Sequence, residues 1–569
     1  MLRNKFFLYL FLAIFSTQIF SGIVVAEYQD YPTNKFGMHV ATADPNDIKY
    51  VAELVNSNGG SWGYITFVIQ ENDRDRGKWQ SVFDQLRELK LIPIIRIATQ
   101  PEGNNWKRPS REDAGEWANF LNSLNWVVKP RYVKLFNEPN HAQEWGGATD
   151  AVNYAQIAKV FAEKLKEKSG DFIIMPAGLD ASAPEAQPEH ADAGRFIQTM
   201  VDTIGKDDFN KLFDAWTSHS YPNPAFAGSP NGYGRKTIRT YEWELELLRG
   251  LGIKELPVFI TETGWDANNV GRAVVANNFQ YVFQNVWLPD PRVKAVTPFI
   301  LNYQGPPFLG FSWTLPGKSG EFYEQYNTVK EIKKERGNPP IIDIGSMTYR
   351  IPRILVVRSQ YHQRLKIKNI GQAIWKAEDG YQLIFDGLEK DNYLFSNVET
   401  MKPQDERYID VYFKTNNVEG VKKAQIMLYK NETKIVEGPP LEFEIKPLPS
   451  LEFKANLYPK TDTSANDFEI QIFDQDQQMV FDRENIKVEN GKGNVKDISN
   501  IALDDTYRIV LLKKYYLPRQ GHIKFKLEGN KLEFERMYPL DFSNDGALGW
   551  NDILDFITYP DKFIPMWMP

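Results

Sequence analysis

The feature that most constrains this chain is an alternation. Between about residues 35 and 335, short apolar runs take turns with helical patterns, and the cycle repeats eight times. The runs predict strands at Phe36–Val40, Tyr64–Ile69, Ile92–Ile97, Tyr132–Phe136, Phe172–Ala177, Phe213–His219, Pro257–Thr261 and Ala295–Leu301. Several, such as IPIIRI from Ile92, are almost wholly apolar, as strands covered on both faces must be. Helices are expected at Asp47–Asn56, Trp79–Leu89, Arg111–Leu124, Ala151–Lys168, Ala193–Ile204, Thr240–Leu251 and Val270–Val286. Eight βα repeats in roughly 300 residues have the size and rhythm of a (β/α)₈ TIM barrel, assigned to residues 27–338. The alternative is an open, doubly wound sheet. The first strand lacks a glycine-rich phosphate loop after it, which weighs against a nucleotide-binding version.

The chain of 569 residues is long enough for further domains. Arg3 and Lys5 precede an apolar run that continues to Ala26, so residues 1–26 read as a secretory signal peptide or an N-terminal membrane anchor. Near Gly337-Asn338-Pro339-Pro340 helical periodicity stops. Residues 345–447 then alternate as an antiparallel β-sandwich does, and residues 450–538 predict a second one after the Lys446-Pro447-Leu448-Pro449 linker. The stretch KIKNIGQAIW, ending at Trp375, resembles Ig-like domains found beside bacterial carbohydrate enzymes.

Residues 539–569 contain DFSNDGALGWND, which fits a calcium loop. Such a loop needs oxygen ligands at set positions and a glycine at the sixth for the turn. Asp541, Ser543, Asp545, the carbonyl of Ala547 and Asp552 fall on ligand positions, Gly549 on the water-mediated one and Gly546 on the turn. With aspartate at position 12 and one repeat rather than two, the tail is similar to part of a dockerin. An ordinary turn rich in Asp and Asn is the other reading. There is no cysteine, so thiol chemistry and disulfides are excluded. A net charge of −7 argues against a nucleic-acid partner.

Two motifs carry the chemistry. LFNEPN, residues 135–140, ends the fourth strand, and FITETGW, residues 259–265, ends the seventh. Active sites of these barrels lie at the C-terminal strand ends. Strands four and seven face each other across the mouth, so Glu138 and Glu262 can form the carboxyl pair that glycoside hydrolysis needs. On these motifs, residues 35–335 resemble the clan A glycoside hydrolases, which include family 5 cellulases and mannanases and family 39 xylosidases. The resemblance implies a retaining mechanism, with Glu138 as acid/base, Glu262 as nucleophile and Asn137 on the sugar 2-hydroxyl. It also implies that His219 and Tyr221, from SHSYP, border the nucleophile, with Tyr221 donating to Glu262.

Arg96 interrupts a buried strand and needs a carboxylate partner, for which Glu262 is the candidate. His39 points to the mouth or the core. Trp145, Trp265, Tyr303 and Trp313 are candidate sugar platforms or loop packing, while Glu144, Glu185, Glu189 and Asp266 are expected to be solvated loop charges. No HExxH pattern or histidine cluster appears, so no catalytic metal or organic cofactor is expected. The expected function is cleavage of a β-linked polysaccharide or oligosaccharide outside the cell. The C-terminal domains are expected to dock on a cell surface or scaffold partner. The other class is a non-catalytic carbohydrate-binding protein on a degenerate barrel.

Overall fold

The computed structural model describes residues 30–397 and 399–568; the expected signal segment lies outside them. The chain divides into two units between Ile342 and Asp343. In the first, eight parallel strands are β1 (Lys35–His39), β2 (Gly63–Gln70), β3 (Leu91–Ala98), β4 (Arg131–Leu135), β5 (Phe172–Pro176), β6 (Trp216–His219), β7 (Val258–Glu262) and β8 (Val293–Val296). Their order is β5-β4-β3-β2-β1-β8-β7-β6. The two ends of that order meet. The Asp214 N–H donates to the Ile174 carbonyl at 3.0 Å, the Thr217 hydroxyl donates to the Pro176 carbonyl, and Asp180 bridges His219. The sheet is therefore a closed barrel, which excludes the open alternative.

Helices at Pro45–Val55, Arg76–Glu88, Asp113–Ser123, Ala151–Lys168, Ala193–Ile204, Thr240–Gly250, Arg272–Val282 and Glu324–Glu331 follow the strands. Asp44, Asp75, Asp150 and Asp192 cap four of them by accepting first-turn N–H groups that have no intrahelical partner. Inside the barrel the N-terminal end is filled by aromatics. Tyr64, Tyr132 and Phe259 pack with ring centroids 5.1–6.0 Å apart. Above them the Thr66 and Thr297 hydroxyls meet at 3.0 Å. The polar side chains of the C-terminal strand ends thus sit on an apolar plug.

Three of the expected boundaries shift for identifiable local reasons. The eighth strand stops at Val296 instead of Leu301, because Pro298 has no N–H for a ladder. The sixth begins at Trp216 instead of Phe213, because Asp214 turns its backbone and carboxylate to β5. The helix expected at Val270–Val286 breaks at Gly271, whose φ of 85° no helix accommodates.

In the second unit, one sheet contains Gly345–Tyr349, Gln360–Asn369, Glu406–Lys414 and Tyr393–Phe395; the other contains Ile354–Val356, Leu441–Lys446, Gly420–Lys430 and Tyr381–Asp386. These two sheets are mainly antiparallel, but Ile354–Val356 runs parallel to Leu441–Lys446. The region expected as a second antiparallel sandwich differs. Its seven strands form one sheet, and its terminal pair, Leu451–Lys454 and Asn530–Glu533, is parallel. Phe453 and Phe534 from one end of that sheet share a core with Tyr507 and Phe525 from the other, so the sheet curls on itself rather than packing on a second one. A helix at Trp550–Thr558 follows. No helix among the described residues is long and apolar enough to cross a membrane.

Candidate active site

Backbone geometry at the end of β4 sets the first carboxyl group. Phe136 and Glu138 have φ of 72° and 27°, in the left-handed region that non-glycine residues avoid. Such residues cost roughly 1–3 kcal/mol each and persist only when the surroundings hold them. Here the Glu138 N–H donates to the Gly178 carbonyl at 3.1 Å, and the Glu138 carbonyl accepts from the His141 N–H at 2.8 Å. Gly178 itself lies so close to His219 that a Cβ would meet the ring at 2.2 Å. Only glycine lets the chain leaving β5 pass this histidine.

Glu262 ends β7, almost buried, while the Glu138 side chain keeps 22% of its surface exposed. One oxygen of each carboxyl and one ring nitrogen of His219 all lie within 4.8 Å of one another. His219 sits between them: its Nδ1 is 2.6 Å from Glu138 Oε1 and its Nε2 is 3.5 Å from Glu262 Oε1. The Tyr221 hydroxyl donates to Glu262 Oε2 at 3.3 Å. His39 Nδ1 approaches Glu262 Oε1 to 3.9 Å, which places His39 at the site rather than in the core. Asn137 is buried beside them and its Oδ1 accepts from the Lys134 ammonium at 3.1 Å.

Lys134 is the residue that sequence reasoning missed. It is fully buried on β4, with its Nζ 2.7 Å from His219 Nε2 and 3.5 Å from Glu262 Oε1. A lysine inside the apolar run YVKLF was the available signal, of the same kind that singled out Arg96. Burial pushes the Glu262 carboxyl up, but the basic groups around it, His219 first and then Lys134, His39 and Arg96, outweigh it and hold Glu262 well below the usual carboxylate range. Burial pushes His39 down to about 4, so its ring is neutral at pH 7. It also lowers Lys134 to about 8, so that ammonium still carries charge. Burial and the Glu262 charge raise Tyr221 well above its ordinary value, which keeps it a donor. The spacing of Glu138, His219 and Glu262 would suit a metal ion, but the Lys134 cation already faces two of the three.

Several expectations need correction. Arg96 pairs with Glu144 at 3.3 Å, not with Glu262, and its guanidinium lies over Trp106. Glu144 is therefore not a solvated loop charge; burial raises its carboxyl despite Arg96. Trp145, Trp265 and Trp313 are fully buried core residues, and the first two donate their indole N–H to Asn153 and to the Gly228 carbonyl. None presents a face to a sugar. The half-exposed aromatics at the strand ends are Trp106, Phe226, Phe299, Tyr303 and Phe308, which contact one another or the site residues: Phe226 packs on Tyr221, and Phe299 on His39 and Phe308. A second polar cluster, also missed, joins His141 to Asp180 at 3.0 Å and to His190 at 3.1 Å. Burial works to lower His141, but Asp180, Glu138 and Glu144 outweigh it and raise the ring.

In the C-terminal loop, oxygens of Asp541, Asp545 and Asp552 lie within 4.8 Å of one another. Asp541 accepts from the Asp545 and Gly546 N–H groups, and Asp552 accepts from those of Ser543 and Gly549. Burial and the charges of Asp552 and Asp545 raise the Asp541 carboxyl. A crowded, buried carboxylate of this kind fits a hard cation with oxygen ligands.

No protein-family model and no curated protein matches the chain. Among solved structures, a family 39 glycoside hydrolase from Bacteroides cellulosilyticus is 15% identical over 67% of this chain and 81% of its own, with a TM-score of 0.38. An endo-β-1,4-glucanase from Xanthomonas axonopodis pv. citri is 14% identical over 52% of this chain and 98% of its own, at 0.36. A family 51 α-L-arabinofuranosidase from Bifidobacterium longum is 10% identical over 68% and 98%, at 0.35. All three are glycoside hydrolases.

Proposed function

We propose that this chain is a retaining glycoside hydrolase that cleaves β-linked polysaccharide or oligosaccharide, with Glu138 as acid/base and Glu262 as nucleophile. The observation that carries the reading is the approach of the two carboxyl groups to within 4.8 Å at facing strand ends. Retaining enzymes hold this pair about 5–5.5 Å apart, whereas inverting ones leave about 6.5–9.5 Å for a water. Glu262, kept ionised, attacks the anomeric carbon while Glu138 gives its proton to the departing oxygen. The glycosidic C–O bond breaks and a C–O bond to Glu262 forms. Water then gives a proton to Glu138 and its oxygen displaces Glu262. Asn137, next to Glu138 just beyond β4 and held by Lys134, is suited to the sugar 2-hydroxyl.

For the C-terminal unit we infer a tethering or spacing role and a structural calcium ion held by Asp541, Ser543, Asp545, the Ala547 carbonyl and Asp552. The apolar segment of residues 1–26 supports export. The test is hydrolysis of β-glucan, mannan, xylan and aryl-β-glycosides by wild type and Glu262→Ala. Cleavage of one substrate that the substitution abolishes is expected. Glycan binding without cleavage of any would favour the binding-protein reading instead.

A further inference from the structure

We propose that Lys134 is a positioning residue with two tasks: it is the standing cation that keeps Glu262 ionised, and it fixes the proton of His219 on Nδ1, which leaves Oε2 of Glu138 as the oxygen that carries the transferable proton. The second task rests on the glycosidase reading; the first does not.

The assignment follows from donors and acceptors. An ammonium only donates. Lys134 Nζ lies 2.7 Å from His219 Nε2, so that nitrogen must accept and cannot hold a proton. In the neutral ring the proton is then on Nδ1, and Nδ1 is 2.6 Å from Glu138 Oε1. Oε1 therefore accepts a hydrogen bond from His219 in both halves of the reaction. When Glu138 is an acid its proton sits on Oε2. It passes from there to the departing oxygen as the glycosidic bond breaks, and a proton from water later returns to the same atom. His219 exchanges no proton, and the count balances without it.

The charge argument compares every group that faces Glu262. From β1 comes His39, 3.9 Å away. From β3 comes Arg96, which is paired with Glu144. From β4 come Lys134 at 3.5 Å and, just beyond the strand, Glu138. From β6 and the residues after it come His219 at 3.5 Å and Tyr221 at 3.3 Å. His39 and Tyr221 are neutral at pH 7 by the directions described above. Arg96 has its own carboxylate. Lys134 is the remaining cation, and its two hydrogen-bond acceptors, Asn137 and His219, bring it no negative charge. A fully buried ammonium with neutral acceptors requires an anion, and Glu262 is the one within 4 Å.

The test uses the full chain as wild type, Lys134→Met and Lys134→Arg, with folding checked by circular dichroism. Nitrogen-15 histidine spectra read the ring tautomers, and His219 is assigned among six histidines by its loss in His219→Gln. Wild type is expected to show a proton on Nδ1 and none on Nε2, and Lys134→Met a proton on Nε2, which no longer faces a donor. The acid limb of kcat/KM is expected to move up by about one pH unit or more in Lys134→Met and to return most of the way in Lys134→Arg. A wild-type Nε2–H tautomer, or a folded Lys134→Met with an unmoved acid limb, overturns the proposal. If no substrate is turned over, the glycosidase reading fails alone. Carbon-13 titration of Glu262 then decides the first task, since its pKa must rise in Lys134→Met. If Lys134→Met does not fold, Lys134→Arg and the wild-type tautomer carry the decision.

Discussion

The barrel closes between β5 and β6, and one buried ion pair lies on that seam. Lys166, at the end of helix Ala151–Lys168, has its Nζ 2.7 Å from Asp214 Oδ2 and donates to the Phe172 carbonyl at 2.7 Å. The same Asp214 oxygen accepts the Ile174 N–H at 2.8 Å. Neither side chain is more than 2% exposed. Asp214→Ala would strand a buried ammonium and orphan a backbone N–H. Breaking one half of a buried pair costs about 3–5 kcal/mol, so we take ~4. For a unit of this size about 2 °C is lost per kcal/mol, which gives a fall of roughly 8 °C. Removing both charges, as Lys166→Met with Asp214→Leu, leaves no stranded ion and should recover most of the loss. Differential scanning calorimetry of the full chain at pH 7 reads the effect, with the transition of the C-terminal unit as internal reference. An Asp214→Ala barrel transition within about 2 °C of wild type would refute the reasoning, because even the low end of the pair's cost exceeds it.

Three further outcomes are expected. Tyr221→Phe removes a hydrogen bond to charged Glu262, worth about 1.5 kcal/mol, and so raises that carboxyl by about one unit. Because the group is depressed in the folded protein, activity as pH falls should fail at a higher pH than in wild type, and an unmoved acid limb of kcat/KM counts against the contact. Glu138→Gln should cost about 10²–10⁴-fold in kcat on a sugar leaving group, and far less in the first step on an aryl glycoside whose phenol departs unaided; equal losses on both would remove Glu138 from the acid role. Calcium should raise the melting temperature of wild type but not of Asp541→Ala, and chelation should reverse the gain; a wild type indifferent to calcium would leave the loop an ordinary turn.

Much of the barrel was legible because its signals are local. Buried parallel strands are apolar throughout, and aspartates such as Asp44, Asp75, Asp150 and Asp192 mark helix starts. That Glu138 and Glu262 would meet could be read from their strand ends, and Tyr221 donates to Glu262 as the resemblance implied. What failed was partner choice. Arg96 could be read as needing a carboxylate, but whether Glu144 or Glu262 supplied it depends on the loop after β4, whose path no spacing encodes. The tryptophans failed for a related reason. Trp145, Trp265 and Trp313 lie in loops along the chain yet fold inward, because burying an indole removes a large apolar area from water, and Trp145 and Trp265 also find acceptors for their N–H. The seven-stranded sheet from Leu451 to Glu533 was misread because alternation identifies strands without saying whether they form one sheet or two.

The Asp180–His219 bridge makes the seam and the chemistry one object. If β5 and β6 part by even a hydrogen-bond length, His219 loses its place beside Glu138 while the other strand pairs remain joined. On the glycosidase reading proposed above, a molecule warmed short of melting would keep its circular dichroism and lose activity, and cooling would restore it.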